Sequence, residues 1–320
     1  MVNRLVRKKN KIINNKITDN KTMSPIIEQL KNNRPNLTSS SLKSYESTLR
    51  TLFKNLDGEG NPVEFFINEQ PKVIKFLDTY TPLKRKLRLA SLVSLTSHQP
   101  QVADKYAKQM IADIKTTDAE LEEQKKTPAQ RENWISQDEV KKIHDNLRDA
   151  TAYLFKKNQL TDREKMAFQD YLILSLYVLN PPRRIQYYTY MILGQPEGPE
   201  ENFISKKQFH FVKYKTAKKY GEQIVGINPK LSYIIQKWKK LNPSQKWLLV
   251  NEKGEQLTTP SLTMKLNKIF GGKKISVNML RHIFISDEVL NNAPALKSLQ
   301  KTAEEMGHST DTQQLYRKVE

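Results

Sequence analysis

Period-two alternation marks a half-buried strand, and in this chain it is plain at Gln208-Phe209-His210-Phe211-Val212-Lys213-Tyr214-Lys215. A second apolar run at 222–227 follows after residues 216–221, so the pair reads as a β-hairpin. Trp247-Leu248-Leu249-Val250 is a candidate for one more short strand. Residues 22–115 show no such alternation; their apolar residues recur at helical spacing. The expected fold is mainly α with a small β-hairpin or sheet.

Ser24-Pro25 opens a short helix that must stop before Arg34-Pro35, since a residue preceding proline avoids helical angles. In the next segment Leu42, Tyr45, Leu49, Leu52, Phe53 and Leu56 share one face, and Asp57-Gly58 ends the helix. Lys43, Arg50 and Lys54 align on the opposite side, where they suit a DNA backbone or an ordinary solvated face. Further helices are expected at 71–80, 82–97 and 101–114. Lys84, Arg85, Lys86 and Arg88 crowd the start of the 82–97 helix. Cations there oppose the helix dipole, so they look placed for a ligand and not for helix stability.

Residues 116–132 turn polar and charged and read as a linker, with Pro128 at its boundary and a beginning that can still be helical. Ser136-Gln137-Asp138-Glu139 has the pattern of a capping box, so the next domain opens with a helix. An apolar helix at 162–179 runs into Asn180-Pro181-Pro182, which stops it and delivers Arg183 and Arg184 at a sharp turn. Tyr187, Tyr188, Met191 and Ile192 start another helix, and two more are expected at 229–241 and from Thr259. The expected domains are a basic flexible arm at 1–21, a helical domain at 22–115, the linker, and a second domain at 133–320.

Charge narrows the partner. Lys and Arg number 54 against 34 Asp and Glu, a formal charge of +20, which favours a polyanion such as nucleic acid. The absence of Cys removes disulfides and thiol nucleophiles and fits an intracellular protein. No apolar run approaches a membrane span, and no secretory signal is visible. Neither a metal-binding His cluster nor a phosphate-binding Gly-rich loop is present, so no cofactor is expected.

The C-terminal stretch carries the chemistry. Arg281 and His282 stand at the front of an amphipathic segment, Met306-Gly307-His308-Ser309 follows, and Tyr316 lies eight residues after His308. A phenol with an ordinary pKa near ~10 needs cations or a base beside it to attack at neutral pH. Singly these are weak signals, since a lone Arg, Lys or Tyr is usually surface or core. Their order along the chain is the specific feature.

Over nearly its full length the sequence resembles the tyrosine recombinases, the phage-integrase family. NPPRRIQYY looks like that family's first arginine box, with Arg183 matched because Gln186 then takes the acidic position, and Arg184 as the alternative. Lys215 in YKTAKKYGEQIVGI is similar to the hairpin lysine, with Lys218 and Lys219 as rivals. NMLRHIF resembles the His-x-Leu-Arg-His box and supplies Arg281, with Asn278 where His is usual; MGHS supplies His308 and QQLY the nucleophile Tyr316. Arg184, Lys218 and His282, with Lys43, Arg50, Lys54, Lys84, Arg85 and Lys86, are expected to contact DNA.

The resemblance implies a helical core-binding domain and an α+β catalytic domain forming a clamp round double-stranded DNA at a specific recombination site. It implies a monomer free in solution, a homo-tetramer on two sites, and a 3′-phosphotyrosyl intermediate that needs neither metal nor ATP. The wording looks more like integrases of large DNA viruses and their mobile elements than like bacterial chromosome resolvases, which would place the protein in a host's cytoplasm or nucleus. A type IB topoisomerase-like relaxase, a telomere resolvase and a decayed DNA-binding protein are the alternatives. Asn278 cannot exchange a proton, and Gln186 would orient an arginine without charge. Four residues follow Tyr316, where family members often send a helix onto a neighbouring protomer; that exchange is either absent or needs a longer tail.

Overall fold

The computed structural model describes residues 24–199, 201–244, 246–289, 294–305 and 310. It is mostly helical with one small mixed sheet, and no described helix is long and apolar enough to cross a membrane. Two compact units divide the chain, one reaching Lys125 and resuming at Leu296, the other spanning Lys126–Ala295. The expected basic arm at 1–21 lies outside the described residues.

The first unit contains α1 (Pro25–Asn33), α2 (Ser39–Asn55), α3 (Pro62–Asn68), α4 (Gln70–Leu77), α5 (Pro82–Thr96) and α6 (Pro100–Glu122). Proline stands in the first turn of α1, α3, α4, α5 and α6, where its missing N–H is no loss. Thr38 and Asn61 cap α2 and α3 by accepting from Ser41 and Val63 N–H. Leu30, Leu49, Leu52, Phe66, Val73, Leu89 and Leu92 fill the core, each contributing about 1.5–3 kcal/mol by burial. Tyr106 is buried among them and donates its hydroxyl to the Phe66 carbonyl at 2.8 Å.

Much of the expected linker is helical. Asp113 and Thr117 look like solvent residues in sequence, but both are buried and bonded, Asp113 to Arg85 and Thr117 back to the Asp113 carbonyl. That inward polar face carries α6 through to Glu122, and Gln124 with φ 54° ends it. Helix α7 (Pro128–Asn133) starts at once from a Thr127–Gln130 capping box. At the far end of the first unit, α15 (Leu296–Glu305; α8–α14 are given below) docks on the end of α6, with Lys297 paired to Glu123 and Leu296 N–H donating to Gln124. The sequence reading had placed these residues with the second domain.

In the second unit, α8 (Gln137–Thr151) starts from the expected Ser136–Glu139 capping box, and α9 (Asp162–Val178) from a box formed by Thr161 and Glu164. Helix α9 is buried over most of its circumference and forms the axis of this core. Its buried Gln169 is satisfied by both backbone groups of Val250, at 2.7 and 2.9 Å. Around it pack α12 (Pro229–Leu241) and α13 (Thr259–Ile269), with Trp238 stacked on Phe168 and donating to the Leu248 carbonyl. Trp247–Val250, expected as a strand, forms isolated bridges to Ile192 and Gln256.

The sheet runs β1 (Met191–Ile192), β2 (Asn202–Ser205), β3 (Gln208–Phe211) and β4 (Gln223–Gly226) in that order. β1 and β2 are parallel, and the other two pairs are antiparallel. Of the residues expected to start a helix after the double proline, Tyr187 and Tyr188 lie in a single turn, α10 (Gln186–Thr189), while Met191 and Ile192 form β1. β2 was not legible, being four residues after a Gly- and Pro-rich loop, and it joins β3 through Lys206-Lys207, both with positive φ. The predicted hairpin is present as β3–β4, with Phe211 opposite Gln223. Its first strand is shorter than the sequence alternation, because buried Asn202 accepts from the N–H groups of Val212 and Lys213 and draws them out of the ladder. The connection then makes one helical turn, α11 (Ala217–Tyr220), ended by Gly221 at φ 64°.

Candidate functional site

Four segments of the second unit meet at one cavity of about 330 Å³, three of them with polar candidates from the sequence and the fourth, α13, with Thr263. The turn after α9 contributes Arg184 and Gln186, the β3–β4 connection contributes Lys215, and α14 (Val277–Phe284) contributes Asn278 and Arg281. The turn is pinned because Asn180 bonds both the Gly226 carbonyl and the Asn228 N–H. Helix α14 is capped by Ser276, which accepts from Met279 N–H. It buries Val277, Met279, Leu280 and Ile283, and this leaves Asn278, Arg281 and His282 on the outer face.

The electrostatics are one-sided. Arg184, Lys215 and Arg281 all line the cavity, and no carboxylate does so among the described residues. Like charges gathered in this way repel one another unless an anion sits between them. Arginine presents a planar fork to non-bridging oxygens and lysine a compact ammonium, so a phosphate is the anion this set matches best. Gln186 occupies the lining without charge and leaves the cations unneutralised.

The two adjacent arginines differ in surroundings. Arg183, the residue preferred from sequence, donates to Gln223 Oε1 at 2.6 Å and lies over Phe211 and Tyr187 at 4.9 and 5.2 Å from the ring centres. Arg184, the alternative, faces the large cavity; both border a smaller one of about 180 Å³ together with Arg281. Of the three candidate lysines only Lys215 reaches the cavity, while Lys218 and Lys219 are exposed on α11. Asn278 bridges its neighbours, accepting from Arg281 at 3.4 Å and meeting His282 Nε2 at 3.2 Å. His308 and Tyr316 lie outside the described residues.

The first unit sorts its candidates too. Lys43, Lys54, Lys84 and Lys86 are exposed, and Arg50 is exposed with an ion pair to Glu46 at 2.9 Å. Arg85, expected on a ligand, is instead committed internally. Its guanidinium grips both oxygens of Asp113 at 2.7 and 2.6 Å and reaches Asp78 at 3.0 Å. Its side chain is only 11% exposed and that of Asp113 2%, so this pair braces α5 against α6. Thr263 and Ser276 in the cavity lining and the Gln223 brace were not singled out from sequence as site residues. Ser276 precedes an amphipathic run and so carries the local signal of a helix cap, whereas Thr263 and Gln223 carry none.

Comparison with family models, with curated proteins and with solved structures found no match.

Proposed function

We propose that the protein is a DNA strand-transfer enzyme of the tyrosine-recombinase type, acting on a phosphodiester seated in the Arg184–Lys215–Arg281 cavity. The convergence of those three cations, free of carboxylates, is the observation that carries this reading. In it, the Tyr316 oxygen attacks phosphorus as its phenol proton passes to water. The new O–P bond forms as the bond to the 5′-oxygen breaks, leaving a 3′-phosphotyrosyl link. Lys215 protonates the departing 5′-oxygen, and a 5′-hydroxyl from another strand reverses the step.

Arg184 and Arg281 stabilise the charge that grows on the non-bridging oxygens, and each such donor is worth about 10²–10³-fold in rate. Arg183 acts as a brace that holds the arginine turn to β4. The +20 charge and the exposed lysines of α2 and α5 support a duplex as substrate, with the helical unit as the second half of a clamp and a tetramer assembled on two sites. Energy conserved in the covalent link removes any need for a nucleotide.

The test is a nicked duplex that traps the covalent intermediate, taken from the ends of the protein's own genetic element, with the linked 3′ end mapped. Wild-type protein is expected to form a protease-sensitive adduct at one position, and Tyr316→Phe to bind the same duplex without forming it. An adduct with the Phe variant would remove Tyr316 as nucleophile.

A further inference from the structure

Asn278 stands between a guanidinium and an imidazole, and its amide cannot treat them alike. Arg281 carries donors only, so the atom facing it must be Oδ1, which accepts from Nη1 at 3.4 Å. Nδ2 of the same amide therefore points at His282 Nε2, 3.2 Å away. An amide NH₂ only donates, so Nε2 is the accepting nitrogen and the neutral ring carries its proton on Nδ1. Through this one side chain the position of Arg281 determines the tautomer of His282.

The remaining described histidines are engaged elsewhere. His98 meets Gln29 and Asn33 in the first unit, His144 is buried against Ser175, and His210 bonds Glu222 while stacking on Phe203. His282 is exposed, one helical turn from Asn278 on the face of α14 that carries Arg281. Among the described residues its hydrogen bond is to Asn278 alone.

We infer that His282 is a catalytic residue of this site, donating from Nδ1–H to a non-bridging oxygen of the bound phosphodiester, and that Asn278 is the positioning residue that sets its tautomer. The inference rests on the strand-transfer reading above. His282 lines neither cavity, so the phosphodiester it meets is one that extends past Arg281 along the outer face of α14. Asparagine suits the positioning role because one end accepts and the other donates. Aspartate would accept from both neighbours and draw the ring proton to Nε2.

Two measurements on the full chain test it. Imidazole ¹⁵N shifts of His282 are expected to report the Nδ1–H tautomer in the wild type and the Nε2–H form, or the doubly protonated ring, in Asn278→Asp. An Nε2–H ring in the wild type, or no change in the variant, overturns the positioning role whatever the activity. With the nicked duplex at saturation, His282→Ala is expected to slow adduct formation about 10²-fold with duplex affinity kept, as for loss of one transition-state donor. Added imidazole should partly restore that variant and leave Asn278→Ala unrestored. A His282→Ala rate equal to the wild type overturns the catalytic role alone. A wild-type protein that forms no adduct overturns the strand-transfer reading, and the role of His282 with it.

Discussion

The guanidinium of Arg183 donates to Gln223 Oε1 at 2.6 Å, tying the turn that follows α9 to the last strand of the sheet. With Phe211 and Tyr187 beneath it, this arginine is held from three sides. The next residue, Arg184, lines the larger cavity. Two neighbours in sequence thus divide into a brace and a ligand-facing group.

That division makes the two arginines separable by mutation. Arg184→Ala is expected to lower the adduct rate by about 10²–10³-fold with little change in melting temperature. Gln223→Ala is expected to cost about 1.5–3 kcal/mol of stability, the usual range for a hydrogen bond to a charged donor, with a smaller loss of rate. Parallel single-turnover kinetics and thermal melts decide it. An Arg184→Ala enzyme as fast as wild type would refute the assignment.

Lys215 is expected to act on the leaving oxygen. Its alanine variant should lose about 10²–10³-fold on ordinary DNA and recover most of it when the 5′-bridging oxygen is replaced by sulfur, a leaving group that needs no proton. Lys218→Ala should weaken duplex binding without changing the rate at saturation. Failure of the sulfur substrate to rescue Lys215→Ala would mean that the lysine only binds phosphate.

On α5, adjacent basic residues should respond to different assays. Arg85→Ala leaves the buried Asp113 carboxylate uncompensated and should cost about 3–5 kcal/mol of stability. Lys84→Ala with Lys86→Ala should leave the urea midpoint unchanged while reducing the salt slope of duplex binding by about 1–2. A salt slope that stays put in the double variant would take α5 off the DNA.

His144 gives the second unit a pH-dependent term. Ser175 spends its hydroxyl proton on the Tyr171 carbonyl, so its oxygen accepts from His144 Nε2–H at 3.0 Å, and burial holds the imidazole pKa below its ordinary value. As pH falls, the unfolded chain takes up this proton first, near pH ~6.5. The stability from neutral burial is therefore complete above about pH 6.5 and is lost as pH drops below it toward the folded pKa. Urea midpoints should fall from about pH 7 to 5 more steeply for wild type than for His144→Gln. Parallel curves for the two proteins would exclude His144 as the source.

Local signals located most of the helices. The proline starts of α1 and α5, the Ser136–Glu139 box and the apolar stripe of α2 were all readable, because the interactions behind them span three or four residues. α3, β1 and β2 escaped notice because they are short and depend on partners elsewhere. How far α6 runs into residues 116–132 was not legible for a related reason: Thr117 faces inward only because the Asp113 carbonyl is there to meet it, on the helix that Arg85 braces.

By itself the sequence determined the balance of helix over strand, the strong positive charge, and a set of basic residues suited to a phosphodiester. Tertiary structure alone decided which of them share a cavity. Arg184 borders the larger cavity and Arg183 only the smaller one, because Gln223 lies forty residues further on. Arg85 is withdrawn from the surface by a carboxylate on the next helix. Lys215 is chosen over Lys218 where Asn202, from another strand, ends the β3 ladder. Each outcome depends on a polar partner distant in the chain, and such partners are invisible to any pattern that repeats every two or four residues.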